Sequence, residues 1–407
     1  MRGTDARGFA WFWGAFSVST VGDQVTLVAV PLAAYARTHD PLVVGIATSM
    51  EALTTVTLGL FAGALADRLP HRRVLVGTDI ARTLLLGTLA LVVTNHMYPV
   101  AALYLVAFGL GTMRQLHDGA AGAALPLIVS PDDLLWANGR LSASESAGNT
   151  LGPAIAGVLT SAAGVGAAFI ADAASFALSG AGVARVRTLR DRAPDGVPPS
   201  AVPRLIGQIG EGLRSVMRDR PLTQATLLAA TMNVPAITVE AQFVPYGRHL
   251  LHLSALGIGV FYAIGGLSGM AAALAIGRAG AGVQGRAMLA GAAAVSGGLV
   301  LAGAAPSRVS AAIAFVGVGA GSMVVITQYA ALRQQRFPIG LLGRVTTATR
   351  IALRGPLPVV LVLGGVLARA AGLDVLFLVA GLVGGVGVVV VALRGFAAIG
   401  VEAADRS

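Results

Sequence analysis

Gly63-Ala64-Leu65-Ala66-Asp67-Arg68-Leu69-Pro70-His71-Arg72-Arg73 is a short, strongly basic turn set between two apolar runs, 41–66 and 74–94. A helix needs roughly twenty mostly apolar residues to cross the hydrocarbon core of a bilayer, and both runs reach that length. Leu69-Pro70 supplies the break, because the residue before a proline is pushed out of the helical region. The same alternation continues in both directions. Spans are expected near 9–36, 41–66, 74–94, 99–125, 135–161 and 164–184, then near 222–247, 254–277, 287–305, 309–332, 342–368 and 373–394. The gaps hold further breakers, among them Asp40-Pro41, Tyr98-Pro99, Pro131-Asp132, Pro306-Ser307 and Phe337-Pro338. The pattern predicts an all-α membrane protein with twelve transmembrane helices.

Composition points the same way. Charged residues are 12% of the 407-residue chain and apolar residues 55%, whereas soluble domains run near 25% charged. A mean hydropathy of +0.77 leaves little polar surface to offer to water. The 54 glycines suit helices that approach one another closely in lipid. A formal net charge of +10 invites a nucleic-acid reading, but that requires a basic face on a folded aqueous domain. Here the charge lies in turns between apolar runs, so no nucleic-acid partner is expected. The basic charge is all arginine, and without Lys there is no phosphate-binding glycine loop and no ATP-driven transport within this chain. The lack of Cys excludes disulfides, thiolate metal sites and cysteine nucleophiles. Arg2 and Arg7 precede an apolar run too long for a cleavable signal, so the first span is expected to stay in the protein.

The arginines also set the orientation. An inside N-terminus places Arg2, Arg7, Arg68, Arg72, Arg73, Arg140, Arg278, Arg286, Arg333, Arg336 and Arg344 on the inner side. The dense run from Arg185 to Arg220 joins them, as do Arg394 and Arg406, while the outer turns keep only Arg37, Arg248, Arg308 and Arg369. A bias of about five to one puts both termini in the cytoplasm of a multi-pass cell-membrane protein.

Residues 186–221 form the one long polar segment. It opens with Ala193-Pro194-Asp195-Gly196-Val197-Pro198-Pro199. It then sets Leu205, Ile206, Ile209, Leu213, Val216 and Met217 at helical spacing against Gln208, Glu211, Arg214 and Arg218. That is a basic amphipathic helix suited to the inner leaflet, either a plain linker or a regulatory element. It separates an N-terminal six-helix bundle, 1–185, from a C-terminal six-helix bundle with a short tail, 222–407. The halves echo each other: Gly59 and Arg68 recur as Gly269 and Arg278, Gly152-Pro153 as Gly355-Pro356, and Gly157-Val158-Leu159 as Gly365-Val366-Leu367. Asn138-Gly139-Arg140 likewise opens the fifth span as Leu342-Gly343-Arg344 opens the eleventh. A duplicated six-span unit in parallel orientation is a transporter architecture.

The opening stretch resembles the Gly-x-Leu-Ala-Asp-Arg-x-x-Arg-Arg signature between the second and third spans of the major facilitator superfamily. In that signature Gly63 permits close packing, and Asp67 with Arg68, Arg72 and Arg73 latches the inner helix ends. His71 stands where the family often has Arg or Lys. Gly22-Asp23, Asp79-x-x-Arg82, Leu134-Leu135-Trp136-Ala137-Asn138 and Phe169-Ile170-Ala171-Asp172-Ala173-Ala174-Ser175-Phe176 are similar to the branch of macrolide-efflux proteins and the enterobactin exporter. Gly148-x-x-x-Gly152-Pro153-x-x-Ala156-Gly157 resembles the antiporter signature of exporters. The resemblance implies two six-helix bundles working by alternating access around a midplane cavity lined mainly by spans 1, 4, 5, 7 and 11. It implies proton-coupled export of an amphipathic small molecule, such as a drug, a macrolide-like metabolite or a siderophore. It also implies a monomer whose partners are substrate, protons and the lipid bilayer. Uptake or lipid movement by the same fold, or a non-transporting scaffold or sensor, are the alternatives.

An ionisable side chain at bilayer depth costs at least about 2.5–3.5 kcal/mol on insertion scales, so each needs a reason. Asp23, Glu51, Glu145 and Glu240 fall near the middle thirds of their spans, with Asp79, Arg82, Arg114, Asp118, Asp172, Arg350 and Arg354 nearer the ends. Burial disfavours the charged form of a carboxylate, which suits a proton carrier. Asp23 and Glu51 are therefore coupling candidates, against the plainer reading of satisfied interhelical bonds. Arg114 resembles the position where the superfamily carries an arginine that influences proton transfer, and Asp118 lies one turn on as an i,i+4 partner or a partner of the Asp67–Arg72 latch. Glu145 and Asn149 lie one turn apart beside the Gly148, Gly152, Pro153 and Gly157 motif, whose small residues let the fifth span approach its counterpart. Glu240 could meet Asp23 or Glu51 across the cavity, with Arg350 and Arg354 balancing the acids. Six histidines are scattered, and the pair His249 and His252 is too little for a metal site. Neither a cofactor nor an enzymatic constellation of nucleophile and base is visible.

Overall fold

The computed structural model describes residues 5–59, 69–95, 98–189, 202–277 and 283–398, with side chains except at 202–206, 208 and 339. Gly63, Asp67 and Arg68 of the opening stretch lie outside the described residues, as do Arg2, His96, Arg190, Arg192, the proline-rich run 193–199, Arg278 and Arg406. Within the described residues the chain is helical: α1 Ala6–Thr38, α2 Pro41–Thr57, α3 His71–Thr94, α4 Val100–Ile128, α5 Leu134–Ala163, α6 Val165–Val183 and α7 Val202–Arg218. These are followed by α8 Arg220–His249, α9 Ala255–Ile276, α10 Gln284–Ala304, α11 Arg308–Arg336, α12 Ile339–Arg354, α13 Leu357–Ala371 and α14 Leu373–Leu393.

The helix starts follow from their caps. Asp5 accepts from the Gly8 amide at 2.8 Å, and Asp40 accepts from Leu42 at 2.9 Å with Pro41 in the first turn. Ser307 and Ser310 cap α11 reciprocally. Each satisfies an amide that the first turn leaves without a helical partner. Single glycines at positive φ, Gly164 (81°) and Gly372 (111°), join α5 to α6 and α13 to α14. Both turns require a conformation that L side chains rarely adopt.

Nine segments among the described residues are long and apolar enough to cross a membrane, and α2 is a shorter apolar helix. Among the expected spans, α4 and α5 fall outside that set. Arg114, Gln115, His117 and Asp118 dilute α4, while Asn138, Arg140, Ser144, Glu145 and Asn149 dilute α5. The expected span 342–368 is not one helix. It is α12 and α13 broken at Gly355-Pro356, where proline lacks the amide proton a continuing helix would use. Leu91, Leu105 and Leu393 are 67%, 72% and 83% exposed, apolar faces that only lipid accommodates over such a length.

The chain forms two compact units: residues 1–199 with Leu253–Ala263, and residues 200–252 with 264–407. In the first, α1 packs on α6 and α5, and α3 on α6 and α4. In the second, α10 packs on α11 and α14, and α8 on α14. The amphipathic α7 lies in the second unit against α12. Glu211 Oε2 accepts from Arg344 Nη1 at 2.7 Å, Val216 is buried, and a Cβ on Gly212 would meet the Ala348 Cβ at 3.0 Å. Leu213 and Met217 stay exposed. Gly212→Leu is expected to lift α7 off α12, because the added carbons have no room beneath the Arg344 carbonyl. Faster tryptic cleavage after Arg214 and Arg218 in the variant is the measurable sign; an unchanged digestion pattern would place the helix elsewhere.

Candidate functional site

The first unit holds two layers of charge that meet on α4. Gly111 allows α2 to come close, since a Cβ there would sit 3.1 Å from the Glu51 Cα. That approach brings Glu51 Oε1 to 3.0 Å from Arg114 Nη1. One turn along, Gln115 donates to the Thr55 hydroxyl at 3.1 Å. Asp118 Oδ2 stands 3.9 Å from Arg114 Nε, so the i,i+4 pair is present but longer than the cross-helix one. Arg114 also interacts electrostatically with Asp23 on α1, and Glu145 on α5 interacts with both Asp118 and Arg114. Four carboxylates drawn from α1, α2, α4 and α5 thus share one guanidinium. Glu51, Asp118 and Glu145 are partly or largely exposed, as is Asn149. The layer is accessible and acid-rich.

The second layer is buried. Asp79 and Arg82 on α3, His117 on α4 and Asp172 on α6 are 0%, 2%, 6% and 1% exposed. Asp172 lies in the middle of its helix, which corrects its placement near a span end. Its Oδ1 accepts from Ser175 at 2.9 Å and its Oδ2 from Thr26 on α1. His117 Nδ1 is 3.4 Å from Asp79 Oδ1 and 3.2 Å from the Thr78 hydroxyl oxygen. The Arg82 guanidinium stacks 4.8 Å from the centre of the Phe176 ring and interacts with Asp79 and Asp172. Asp23 interacts with both of those buried carboxylates as well as with Arg114. It joins the two layers, as do the Arg82–Asp118 and Arg114–His117 interactions.

Glycines make the room. A Cβ on Gly22, beside Asp23, would overlap Asp172 Oδ1 and the Ser175 hydroxyl. A Cβ on Gly180 would come within 3.3 Å of the Asp79 Cβ. The Gly148 and Gly152 steps of α5 lie against Thr20 and Val21 of α1, while Gly157 lies against Ala255, Leu256 and Gly259 at the start of α9. Within the first unit the partners of this motif are α1 and the start of α9. Pro153 sits inside an uninterrupted α5.

Other expected residues sit elsewhere. Arg72 bonds to the Ala184 carbonyl, tying the start of α3 to the end of α6, and Arg73 lies at the same helix start. In the second unit Glu240 is half-buried on α8 beside fully buried Gln242. Arg350 is exposed and lies in the field of another cation, Arg333, which bonds to Thr349 at 3.1 Å. The contacts of Thr26 and Ser175 with Asp172, and of His117 with Asp79, were not legible from sequence. Spacing within one helix does not report which residue of another helix it faces. The signal was Gly22 next to Asp23, a missing side chain beside a charge. Among the described residues no three His, Cys, Asp or Glu side chains converge as a metal site would need.

A multi-pass helical protein with a charged interior in its first bundle has the make-up of a membrane transporter. The chain belongs to the Major Facilitator Superfamily, whose family model matches residues 12–359. Macrolide efflux protein A of Streptococcus pyogenes is 25% identical over 226 residues, 55% of this chain and 54% of that protein. The chain thus spans about half the length of the curated relatives it matches. A bacterial homologue of the iron transporter ferroportin, solved in an inward-facing state, superposes with a TM-score of 0.70 at 17% identity, over 95% of this chain and 98% of that one. A bacterial homologue of the lysosomal transporter Spinster gives 0.69 at 14% identity, over 99% and 97%. A POT family transporter bound to a thioalcohol-conjugated peptide gives 0.71 at 10% identity, over 96% of each chain. At these identities the likeness speaks for the fold alone.

Proposed function

We propose that the protein is a secondary transporter of the cell membrane that exports an amphipathic small molecule in exchange for protons, with both termini in the cytoplasm. The observation that carries this reading is the accessible layer in which Asp23, Glu51, Asp118 and Glu145 share Arg114. A guanidinium with several acids competing for it responds to protonation. When a proton neutralises Glu51, the charge-assisted bond at 3.0 Å loses its anionic partner. Arg114 is then free to shift towards Asp23 or Asp118. A cationic amphiphile competes with Arg114 for the same carboxylates, so substrate and proton exclude one another. The excess of acid over base favours a cation at this site. The partial likeness to a macrolide efflux protein supports outward movement of a drug-like compound. The division at residues 186–221, the latch role of Arg72 and Arg73 with Gly63, Asp67 and Arg68, the contribution of Asn149, Glu240 and Arg350, and action as a monomer belong to the same proposal.

The test is efflux from reconstituted vesicles with and without an imposed proton gradient, using a panel of cationic antibiotics, macrolides and siderophores. Wild type is expected to accelerate efflux of at least one compound only when the gradient is present. Asp23→Asn and Glu51→Gln, at matched abundance, are expected to lose about tenfold or more of that acceleration, the general range of a positioned proton-transfer group being 10²–10⁴-fold. Gradient-independent flux, or flux unchanged in both variants, would remove proton exchange through this cluster.

A further inference from the structure

The buried layer of the first unit does not balance its own charge. Asp79 and Asp172 bring two carboxylates and Arg82 one guanidinium, all within 2% exposure, and His117 at 6% is the remaining ionisable group. With His117 neutral the cluster carries an uncompensated negative charge, which a low-dielectric interior opposes strongly. One bound proton makes it neutral. The hydrogen bonding marks where that proton goes. The Thr78 hydroxyl donates to the Leu75 carbonyl at 2.9 Å, so towards His117 its oxygen can only accept. The tautomer with its hydrogen on Nδ1 of His117 places that hydrogen between the Thr78 oxygen and Asp79 Oδ1, both of which can accept it. Nε and Nη2 of Arg82 are buried without a hydrogen bond, and the two buried oxygens of Asp79 have only the 3.4 Å contact to His117 and the neighbouring Ser179 hydroxyl. Satisfied buried polar groups are the rule, so this concentration in one place calls for a role.

We propose that the His117–Asp79 pair is a proton-binding site in the interior of the first bundle, distinct from the accessible Glu51–Arg114 layer and linked to it by Asp23. The pair takes up one proton on the Asp79 carboxylate, since His117 is buried beside the cations Arg82 and Arg114, and the four-residue cluster then becomes neutral. The charged groups facing it are Asp23 from α1, Arg82 from α3 and Arg114 from α4, with Asp172 on α6 connected through Asp23 and Arg82. Asp23 governs occupancy: when its charge is satisfied by Arg114 it opposes the buried carboxylates less, and the proton leaves more readily. The role in transport rests on the proton-exchange reading above, whereas the site itself does not.

The experiment uses the whole protein in lipid nanodiscs, with isotope-labelled histidine and aspartate, followed by magnetic resonance between about pH 5 and 8, where a histidine changes charge. His117→Gln and Asp79→Asn identify the two signals by their loss. The expected result is one histidine and one aspartate signal that move together with a common midpoint, each altered when the other residue is replaced. Thr78→Val keeps both groups and removes only the hydroxyl, so it is expected to move the same histidine signal even if the other variants fold poorly. Signals from both residues that stay fixed across the range would overturn the site, as would titration at Asp172 alone. The vesicle assay separates the two ideas. Gradient-driven efflux with a silent His117–Asp79 pair sinks the buried site and leaves the transport reading standing, while a titrating pair without gradient-driven efflux does the reverse.

Discussion

Arg82→Ala is expected to destabilise the protein by about 3–5 kcal/mol, the range for removing one partner of a buried ion pair. Arg82 is the largest fully buried side chain among the described residues. Its loss leaves Asp79 and Asp172 without the cation they share, beside Asp23, which adds negative charge to both. It also removes the stacking on Phe176 and opens a cavity between α3 and α6. Thermal unfolding of the purified protein in detergent reads this directly. The double variant Arg82→Ala with Asp172→Asn is expected to recover part of the loss, because the amide keeps its shape and bonds without the charge. An Arg82→Ala protein that melts with the wild type would mean that the guanidinium was already solvated. A double variant no better than the single one would assign the loss to packing.

Gly22→Val is the second large effect. A Cβ at this position would overlap Asp172 Oδ1 and the Ser175 hydroxyl, and sit 2.9 Å from the Ser175 Cβ. Overpacking of this kind costs about 1–3 kcal/mol. Expelling Asp172 from its bonds to Ser175 and Thr26 adds the roughly 1–3 kcal/mol of an unsatisfied buried group. The α1–α6 contact is among the most extensive in the first unit, so reduced membrane abundance and a lower unfolding midpoint are expected together. Asp172→Ser in the same chain shortens the obstructing side chain and is expected to restore part of the abundance. Normal abundance and unchanged melting in Gly22→Val would show that α1 and α6 can part without loss. The two variants probe one cluster from opposite sides, so their combined effect is expected to fall short of the sum.

The helical architecture was legible because hydropathy and turn residues are properties of single segments. Asp40-Pro41 and Ser307 announce their helices in sequence, and the spans agree with the observed helices to within a few residues at most ends. The eleventh span was not fully legible. Gly355-Pro356 was noticed as a repeat of Gly152-Pro153, yet α5 runs through its proline while α12 ends before its own. The two places share only the Gly-Pro pair, and a second proline, Pro358, follows Pro356 where Ile155 follows Pro153, so two backbone amide donors are missing at the break and one at Pro153. At the candidate site, sequence singled out Asp23, Glu51, Arg114, Asp118 and Glu145 as charges in lipid, and the structure gathers these around one guanidinium. It did not reveal that His117, dismissed for want of a metal partner, faces Asp79 across a helix interface. Rotation about a helix axis decides such meetings, and small changes of rotation leave hydropathy untouched.

The connections between helices differ in how many motions they leave. Gly164 and Gly372 are one-residue joints, and a joint of that length has almost no slack. The helices on either side cannot slide past each other and must turn as a stiff V. The break at Gly355-Pro356 is of another kind, since it removes a bond within a span and leaves its two parts free to bend. In mechanical terms α13 and α14 form a lever with a rigid elbow at one end and a pivot at the other. A machine built this way has few degrees of freedom.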